Sequence, residues 1–137
     1  MTPETRALVT YRLERANECV EEAELLLSTG HVNTSVDRCY YACFYAVSAL
    51  LLAKGLSSPK RTGIRSLFHQ QVVKPGLVGI SAGQLYDRLF DNRQKSDYAD
   101  LVTFKADDVR VWLQEVRASV GDIRELTLCE VEKETTT

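Results

Sequence analysis

Histidine is scarce in this chain, which contains only two, His31 and His69. Because imidazole is the side chain best suited to proton transfer near neutral pH, few candidates for acid–base catalysis remain. His31 falls in a short connector, and His69 falls inside a helical pattern. We therefore expect His31 to be a helix-end residue and His69 to be a partly buried or surface residue.

The chain also lacks a strong excess of charge of either sign. Seventeen Lys and Arg residues stand against nineteen Asp and Glu residues, which gives a formal net charge of −2. Such a chain has no overall positive field of the kind that drives non-specific binding to nucleic acids. Any RNA or nucleotide partner would have to meet a local basic patch.

Familiar catalytic and cofactor motifs are missing. The sequence has no Gly-rich phosphate loop, no zinc-type ligand spacing, and no recognisable Ser-His-Asp or Cys-His arrangement. Cys39 and Cys43 are spaced as half of a metal site, but no Cys or His pair elsewhere completes it. We expect both cysteines to act as small buried hydrophobic residues, and we predict neither a metal nor a cofactor.

Targeting and membrane-spanning segments are not evident either. The first residues lack the apolar core of a signal peptide, and no later run reaches the ~20 apolar residues needed to cross a bilayer. We predict a cytoplasmic protein without a membrane partner. The length of 137 residues fits a single domain, which we place at 1–129, followed by a flexible, mostly polar tail at 130–137.

The longest apolar stretch runs from residue 33 to residue 55. Within 39–53 the only polar groups are one serine hydroxyl and the tips of three tyrosines. A helix that is apolar on every side must be enclosed, so we predict that this stretch forms the central helix of a bundle. Asn33, Thr34 or Ser35 is expected to cap it.

A preceding helix is predicted from apolar residues that recur at spacings of three and four. Thr2 is its expected cap, Pro3 suits its first position, and Gly30 suits its end. The connector that follows is short, so the first two helices should pack antiparallel.

Three more helices are predicted after the central one. The second of them should open with a capping box formed by Ser81 and Gln84, and 92–105 should be a helix end followed by a packed loop. Asp107 and Asp108 suit the N-terminus of the last helix. The sequence therefore predicts an all-α, up-and-down bundle of about five helices.

A polar cluster at the end of the fourth predicted helix contains Arg93, Lys95, Asp97 and Tyr98. Arg93 continues an apolar helix face, so its guanidinium group needs a carboxylate, a carbonyl or a phosphate as partner. One interpretation is a structural ion pair with Asp97 or Asp37. The other is an anion clamp, in which Arg93 and Lys95 hold a phosphate while Tyr98 contacts a base or ribose.

A second basic patch contains Lys60 and Arg61, near the start of the third predicted helix. A helix N-terminus with basic neighbours can bind phosphate. The alternative is a solvated basic loop without a specific ligand.

The two halves of the central helix are expected to differ. Residues 47–53 should be plain core. Arg38 and Tyr41 lie on a polar-tipped stripe of the first half, with Asp37 beside them. We expect this stripe to face the polar cluster and Asp37 to pair with Arg93.

Three stretches resemble the HEPN superfamily, in particular its small prokaryotic single-domain members. Residues 37–44 are similar to the Arg-x-Tyr-Tyr-Ala-x-Phe of that branch, and residues 60–63, Lys-Arg-Thr-Gly, precede a Leu-Phe pair at 67–68. Residues 93–98 supply Arg-x-x-x-Asp-Tyr. The resemblance covers about 9–123 and implies an all-α bundle that forms a homodimer.

The resemblance also implies a partner and a chemistry. Family members often act with a minimal nucleotidyltransferase in toxin–antitoxin or defence systems, and many are metal-independent ribonucleases with Arg followed four to six residues later by His. Here Arg93 is followed at those distances by Asp97, Tyr98 and Ala99, with no His. In some toxin members a nearby Tyr accepts an adenylyl group, which makes Tyr98 a candidate acceptor.

We therefore expect a homodimer that binds RNA or a nucleotide and works with a minimal nucleotidyltransferase. The alternatives are a metal-independent endoribonuclease toxin and a non-catalytic helical scaffold. The candidate catalytic residues are Arg93, Asp97 and Tyr98; the candidate binding residues are Arg93, Lys95, Tyr98, Asp37, Arg38, Tyr41, Lys60 and Arg61.

Overall fold

The computed structural model describes residues 1–98 and 102–136, without the side chains of 96–98 and 134–136. Its helices are α1 (Pro3–Ser28), α2 (Val32–Ala53), α3 (Arg61–Phe68), α4 (Ile80–Tyr98) and α5 (Ala106–Thr136). A π-helical turn, His69–Val73, extends α3. The described residues contain no strand, so the predicted all-α class is confirmed.

Helix α1 has the predicted ends. The Thr5 amide donates to the Thr2 hydroxyl over 3.1 Å, and Pro3 occupies the first helical position, where no amide hydrogen is needed. At the other end, the His31 amide donates to the Leu26 carbonyl over 2.8 Å, and Gly30 has a φ of 86°. This left-handed residue reverses the chain directly into α2.

The predicted cap of α2 is wrong. The helix begins at Val32, and two of the side chains expected to cap it, those of Asn33 and Ser35, bond elsewhere. The Ser35 hydroxyl donates to the Ala23 carbonyl over 2.9 Å. The Asn33 amide group donates to the Val102 carbonyl over 2.9 Å and accepts from the Phe104 amide over 3.3 Å. Asn33 thus fastens the segment before α5 onto α2.

Two other helix ends differ from the predictions. Helix α4 begins at Ile80, so Ser81 lies inside it and does not open a capping box; the Gly79 carbonyl accepts from the Ala82 amide over 3.0 Å and forms the first turn. Helix α5 continues to Thr136, through the segment predicted as a tail. Glu130 accepts a hydrogen bond from Lys54 over 3.1 Å, which ties this part of α5 to the end of α2.

The long helices α1, α2 and α4 alternate in direction. The Ser35 contact with Ala23 pairs the beginning of α2 with the end of α1, so these helices are antiparallel. Helix α4 is antiparallel to α2 as well, because Asp37 contacts Arg93 while Tyr40 contacts the earlier Tyr86. These pairings determine which side chains of α2 and α4 meet.

Helix α2 is the centre of the bundle and packs against α1, α3, α4 and α5. Leu50 and Leu51 are fully buried, and burying each such side chain stabilises the fold by roughly 1.5–3 kcal/mol. By length and composition α2 could also span a membrane, but 67% of its most apolar window is buried inside the protein. Packing in the core accounts for its apolar composition.

The cysteines of α2 are core residues, as predicted. Cys39 and Cys43 are 0% and 2% exposed. Burial raises the pKa of Cys39 to about 12 and also raises the pKa of Cys43, so both thiols are neutral at physiological pH. Neutral buried thiols act here as small apolar side chains.

Candidate anion-binding cleft

Asp37 of α2 and Arg93 of α4 form the ion pair that the sequence predicts. The Arg93 Nε donates to Asp37 Oδ1 over 3.3 Å, and the two side chains are 17% and 25% exposed. The antiparallel packing of α2 and α4 brings them together across 56 positions of sequence. A partly shielded pair of this kind is screened less by salt than a surface pair.

Asp37 also holds Arg38. Arg38 Nη2 donates to Asp37 Oδ2 over 2.6 Å. Burial lowers the pKa of Arg38, but the bond and the charge of Asp37 more than offset this effect, so the net shift is upward. One carboxylate therefore contacts two guanidinium groups, one through each oxygen.

Tyr41 is the point on which three arginines converge. The guanidinium carbons of Arg38, Arg93 and Arg61 lie 4.9, 5.1 and 5.3 Å from the centre of its ring. The negative face of an aromatic ring attracts such cations and helps to keep them close in spite of their mutual repulsion. The structure thus brings Arg61 of α3 to the site formed by α2 and α4.

A cleft of about 500 Å³ opens beside this cluster. Lys60, Arg61 and Arg93 contribute positive charge to its wall, so the two basic patches of the sequence form a single site. Phe90 and Gln94 extend the wall along α4. The sequence does not show where the loop before α3 places Lys60 and Arg61. Their meeting with Arg93 in one cleft was therefore not predicted.

Tyr40 also lines the cleft, although it was not among the predicted site residues. Its ring lies 5.9 Å from that of Phe90 and 5.6 Å from the Arg93 guanidinium carbon. Burial raises the pKa of Tyr40, while the positive charges of Arg61 and Arg93 act in the opposite direction. The hydroxyls of Tyr40 and Tyr86 affect each other's ionisation but form no hydrogen bond of normal geometry. Phe90 lies one helical turn before Arg93 on α4, and this spacing could have predicted that an aromatic ring lies next to the guanidinium group.

The remaining predicted site residues either lie away from the cleft or have side chains outside the described part of the chain. Lys95 is exposed on α4 and does not line the cleft. The side chains of Asp97 and Tyr98 lie outside the described residues, although their backbone belongs to α4.

His69 is partly exposed, as predicted, and contacts a carboxylate. Its Nε2 lies 2.9 Å from Asp87 Oδ1, on the side where the π-helical turn packs against α4. Gly83 allows this close packing, because a Cβ at that position would lie 2.9 Å from the His69 Cε1 atom. His69 does not line the cleft.

A metal site is not formed by the described residues, in which no group of three or more His, Cys, Asp or Glu side chains is placed to hold an ion. Positive charge in the cleft comes from arginine and lysine. Guanidinium groups match the geometry of phosphate and carboxylate oxygens and remain charged at any physiological pH. The arrangement is suited to binding an anion.

Comparison with known proteins gives the family. A model of the HEPN domain matches residues 9–126. A UPF0332 protein of Thermotoga maritima is 40% identical over 123 residues, which cover 90% of this chain and 93% of that protein. The chain belongs to the HEPN domain family, as the resemblance predicted.

Two relatives from Methanocaldococcus jannaschii carry more informative names. "Putative toxin MJ0142" is 27% identical over 101 residues, which cover 74% of this chain and 69% of that protein. "Putative toxin MJ0605" is 31% identical over 86 residues, which cover 63% and 64%.

Proposed function

We propose that this protein binds RNA or a nucleotide through phosphate groups held in the cleft. The observation that carries the proposal is the convergence of Arg38, Arg61 and Arg93 on the ring of Tyr41. Two of the three arginines contact Asp37. Lys60 and Arg61 add positive charge to the wall of the cleft, in a chain whose net charge is −2.

The chemistry of the wall favours a ligand that carries phosphate groups. Arginine forks bind phosphate oxygens in pairs of parallel hydrogen bonds. Phe90 and Tyr40 lie beside the cations but are only 5% and 1% exposed, so their rings support the wall and do not present a face to a base. The Gln94 amide, which can both donate and accept, lies on the same wall.

The proposal includes a homodimer that works with a minimal nucleotidyltransferase in a toxin–antitoxin or defence-type system in the cytoplasm. Membership of the HEPN family and the names of the two Methanocaldococcus relatives support this role. A half-buried aromatic stripe on α2, formed by Tyr41, Phe44 and Tyr45, supports the dimer. Aromatic residues are enriched in protein interfaces.

Binding to fluorescein-labelled single-stranded RNA at low salt tests this function. We expect Arg93→Ala and Arg61→Ala each to weaken binding about tenfold and to reduce its salt dependence, because each removes a phosphate contact. Arg6→Ala, which removes an exposed charge from α1 outside the cleft, is the matched control and should change affinity less than about twofold. Light scattering on the same samples should give about twice the mass of the 15.4 kDa chain.

Equal, weak binding by the wild type and both cleft variants would remove the basis of the proposal. Equal losses in Arg6→Ala and in the cleft variants would show only general charge attraction. A monomeric mass would contradict the proposed dimer but would not affect the conclusion about RNA binding.

A second candidate function is a metal-independent ribonuclease toxin, which the names of the two Methanocaldococcus relatives favour. Arg93 would stabilise the negative charge that develops on the phosphate oxygens during cleavage. His69 is a poor candidate for the proton transfer, because it pairs with Asp87 outside the cleft. Tyr98 remains the candidate for that role.

Incubation with tRNA in the presence of EDTA tests this activity. A ribonuclease of this kind should cleave the tRNA, Arg93→Ala should not, and His69→Ala should cleave at the wild-type rate. Intact RNA after incubation with folded wild-type protein would count against catalysis. It would not affect the binding proposal.

A further inference from the structure

A groove lies between the beginning of α4 and the middle of α5, apart from the cleft. Two neighbouring cavities of about 250 and 420 Å³ share Val78, Gly79 and Asp122 and so form one depression. Neither cavity is lined by a residue that lines the anion-binding cleft. The groove is therefore a separate surface.

The walls of the groove are built from small side chains. Ala82 stands on α4, Ala118 and Ser119 stand on α5, and the buried Leu85 lies at the base. Small residues allow another helix to approach closely, because the distance between packed helices depends on the side chains at the contact.

Apolar side chains are exposed next to the groove. Leu77 lines it and is 42% exposed, and Ile80, at the start of α4, is 73% exposed. Val78, which lies between these two residues in sequence, lines both cavities. Large apolar side chains grouped beside a depression are typical of a protein interaction site.

The charge around the groove is negative. Asp122 and Glu125 line it from α5, and no ion pair of either is found in the described part of the chain. Glu115 also lines it and contacts Arg88 at 3.5 Å. Phosphate groups are repelled by such a surface, whereas a basic protein segment is attracted to it.

From this combination we propose that the groove docks a helical segment of a partner protein that carries lysine or arginine residues beside an apolar seam. The apolar seam would pack against Leu77, Val78 and the small residues, and the cations would face Asp122 and Glu125. Ala82 and Arg93 are eleven positions apart on α4, about 16 Å along a helix, so a docked partner leaves the cleft accessible.

Binding of a labelled synthetic peptide to the full chain tests the groove. The probe is a leucine–lysine helix of roughly five turns, with leucines at spacings of three and four. A peptide of the same composition without that spacing, and a version with glutamate in place of lysine, are the peptide controls. We expect only the first peptide to bind.

Protein variants then locate the bound peptide. Asp122→Asn with Glu125→Gln should weaken binding about fivefold, and Ala118→Trp, which fills the groove, should weaken it at least as much. Glu14→Gln with Glu21→Gln is the matched control on exposed positions of α1, and it should leave affinity within about twofold. RNA binding should be the same in all these variants.

The proposal is overturned if wild-type protein does not bind the amphipathic peptide, or if the peptide without the leucine spacing binds equally well. Equal losses in the α1 control and the groove variants would also overturn it, because general charge attraction would then explain the binding. A loss of oligomeric mass in Ala118→Trp would also overturn it, because a second copy of the chain would then occupy the groove.

Discussion

The two halves of α2 differ both in sequence and in surroundings. In the second half Val47, Leu50 and Leu51 are completely buried, and their contribution is the volume they fill. In the first half Tyr41 is half-buried, and arginines from α2, α3 and α4 surround its ring. An apolar stretch can therefore supply the core at one end and support a charged site at the other.

The difference lies in what each side chain faces. Tyr40 and Tyr41 are neighbours in sequence, yet Tyr40 is 1% exposed while Tyr41 is only partly buried. A turn of the helix away, Tyr45 contacts Arg15 of α1, whose guanidinium carbon is 5.4 Å from the ring centre. Cations collect on the half of α2 where aromatic rings approach the surface.

The largest expected effect is in the second half. Leu50→Ala leaves a cavity in a fully packed region and should lower the free energy of unfolding by about 2–5 kcal/mol. Leu25→Ala, at a position that is 65% exposed, is the control and should cost less than about 1 kcal/mol. Urea denaturation followed by circular dichroism measures both.

RNA binding by Leu50→Ala tests whether the second half of α2 contributes only to stability. Once corrected for the folded fraction, its affinity should equal that of the wild type, since Leu50 does not line the cleft. A tenfold loss in the folded molecules would mean that the two halves do not have separate roles.

A smaller effect on stability is expected in the first half. Tyr41→Leu keeps an apolar side chain but removes the ring that three guanidinium groups contact, each contact being worth about 0.5–1 kcal/mol at an exposed site. We expect a loss of about 1.5–3 kcal/mol in stability and an RNA affinity about fivefold weaker, because the arginines lose a shared support.

Tyr45→Leu is the matched control for this change. It removes a ring of the same stripe, but this ring contacts Arg15 and none of the three arginines around Tyr41. Its RNA affinity should stay within about twofold of wild type. The same loss in both variants would show that the stripe, and not the arginine cluster, determines binding.

Much of the fold could be predicted because its signals are local. The uniform apolar composition of α2 identifies the central helix, and Thr2, Pro3 and Gly30 define α1 through their own backbone preferences. The ion pair of Asp37 and Arg93 could be predicted because a guanidinium on an apolar helix face needs a carboxylate nearby.

The missed features depend on tertiary contacts. Asn33 has the chemistry of a helix cap, but it bonds to residues 69 and 71 positions later, which no local pattern shows. The end of α5 looks polar in sequence, yet the bond of Lys54 to Glu130 places it against α2. Arg61 reaches Tyr41 only through the path of the loop between α2 and α3.

Asp37 competes with any bound anion for the guanidinium groups of Arg38 and Arg93. Its two oxygens already bind Arg38 and Arg93, as the oxygens of a phosphate would. In the absence of a ligand, this carboxylate orients the guanidinium groups and reduces their repulsion. A ligand with a single negative charge gains little by displacing it, whereas one with several phosphates can also engage Lys60 and Arg61. Under the proposed function, a carboxylate beside the cleft is therefore expected to favour polyanions over ligands with a single charge.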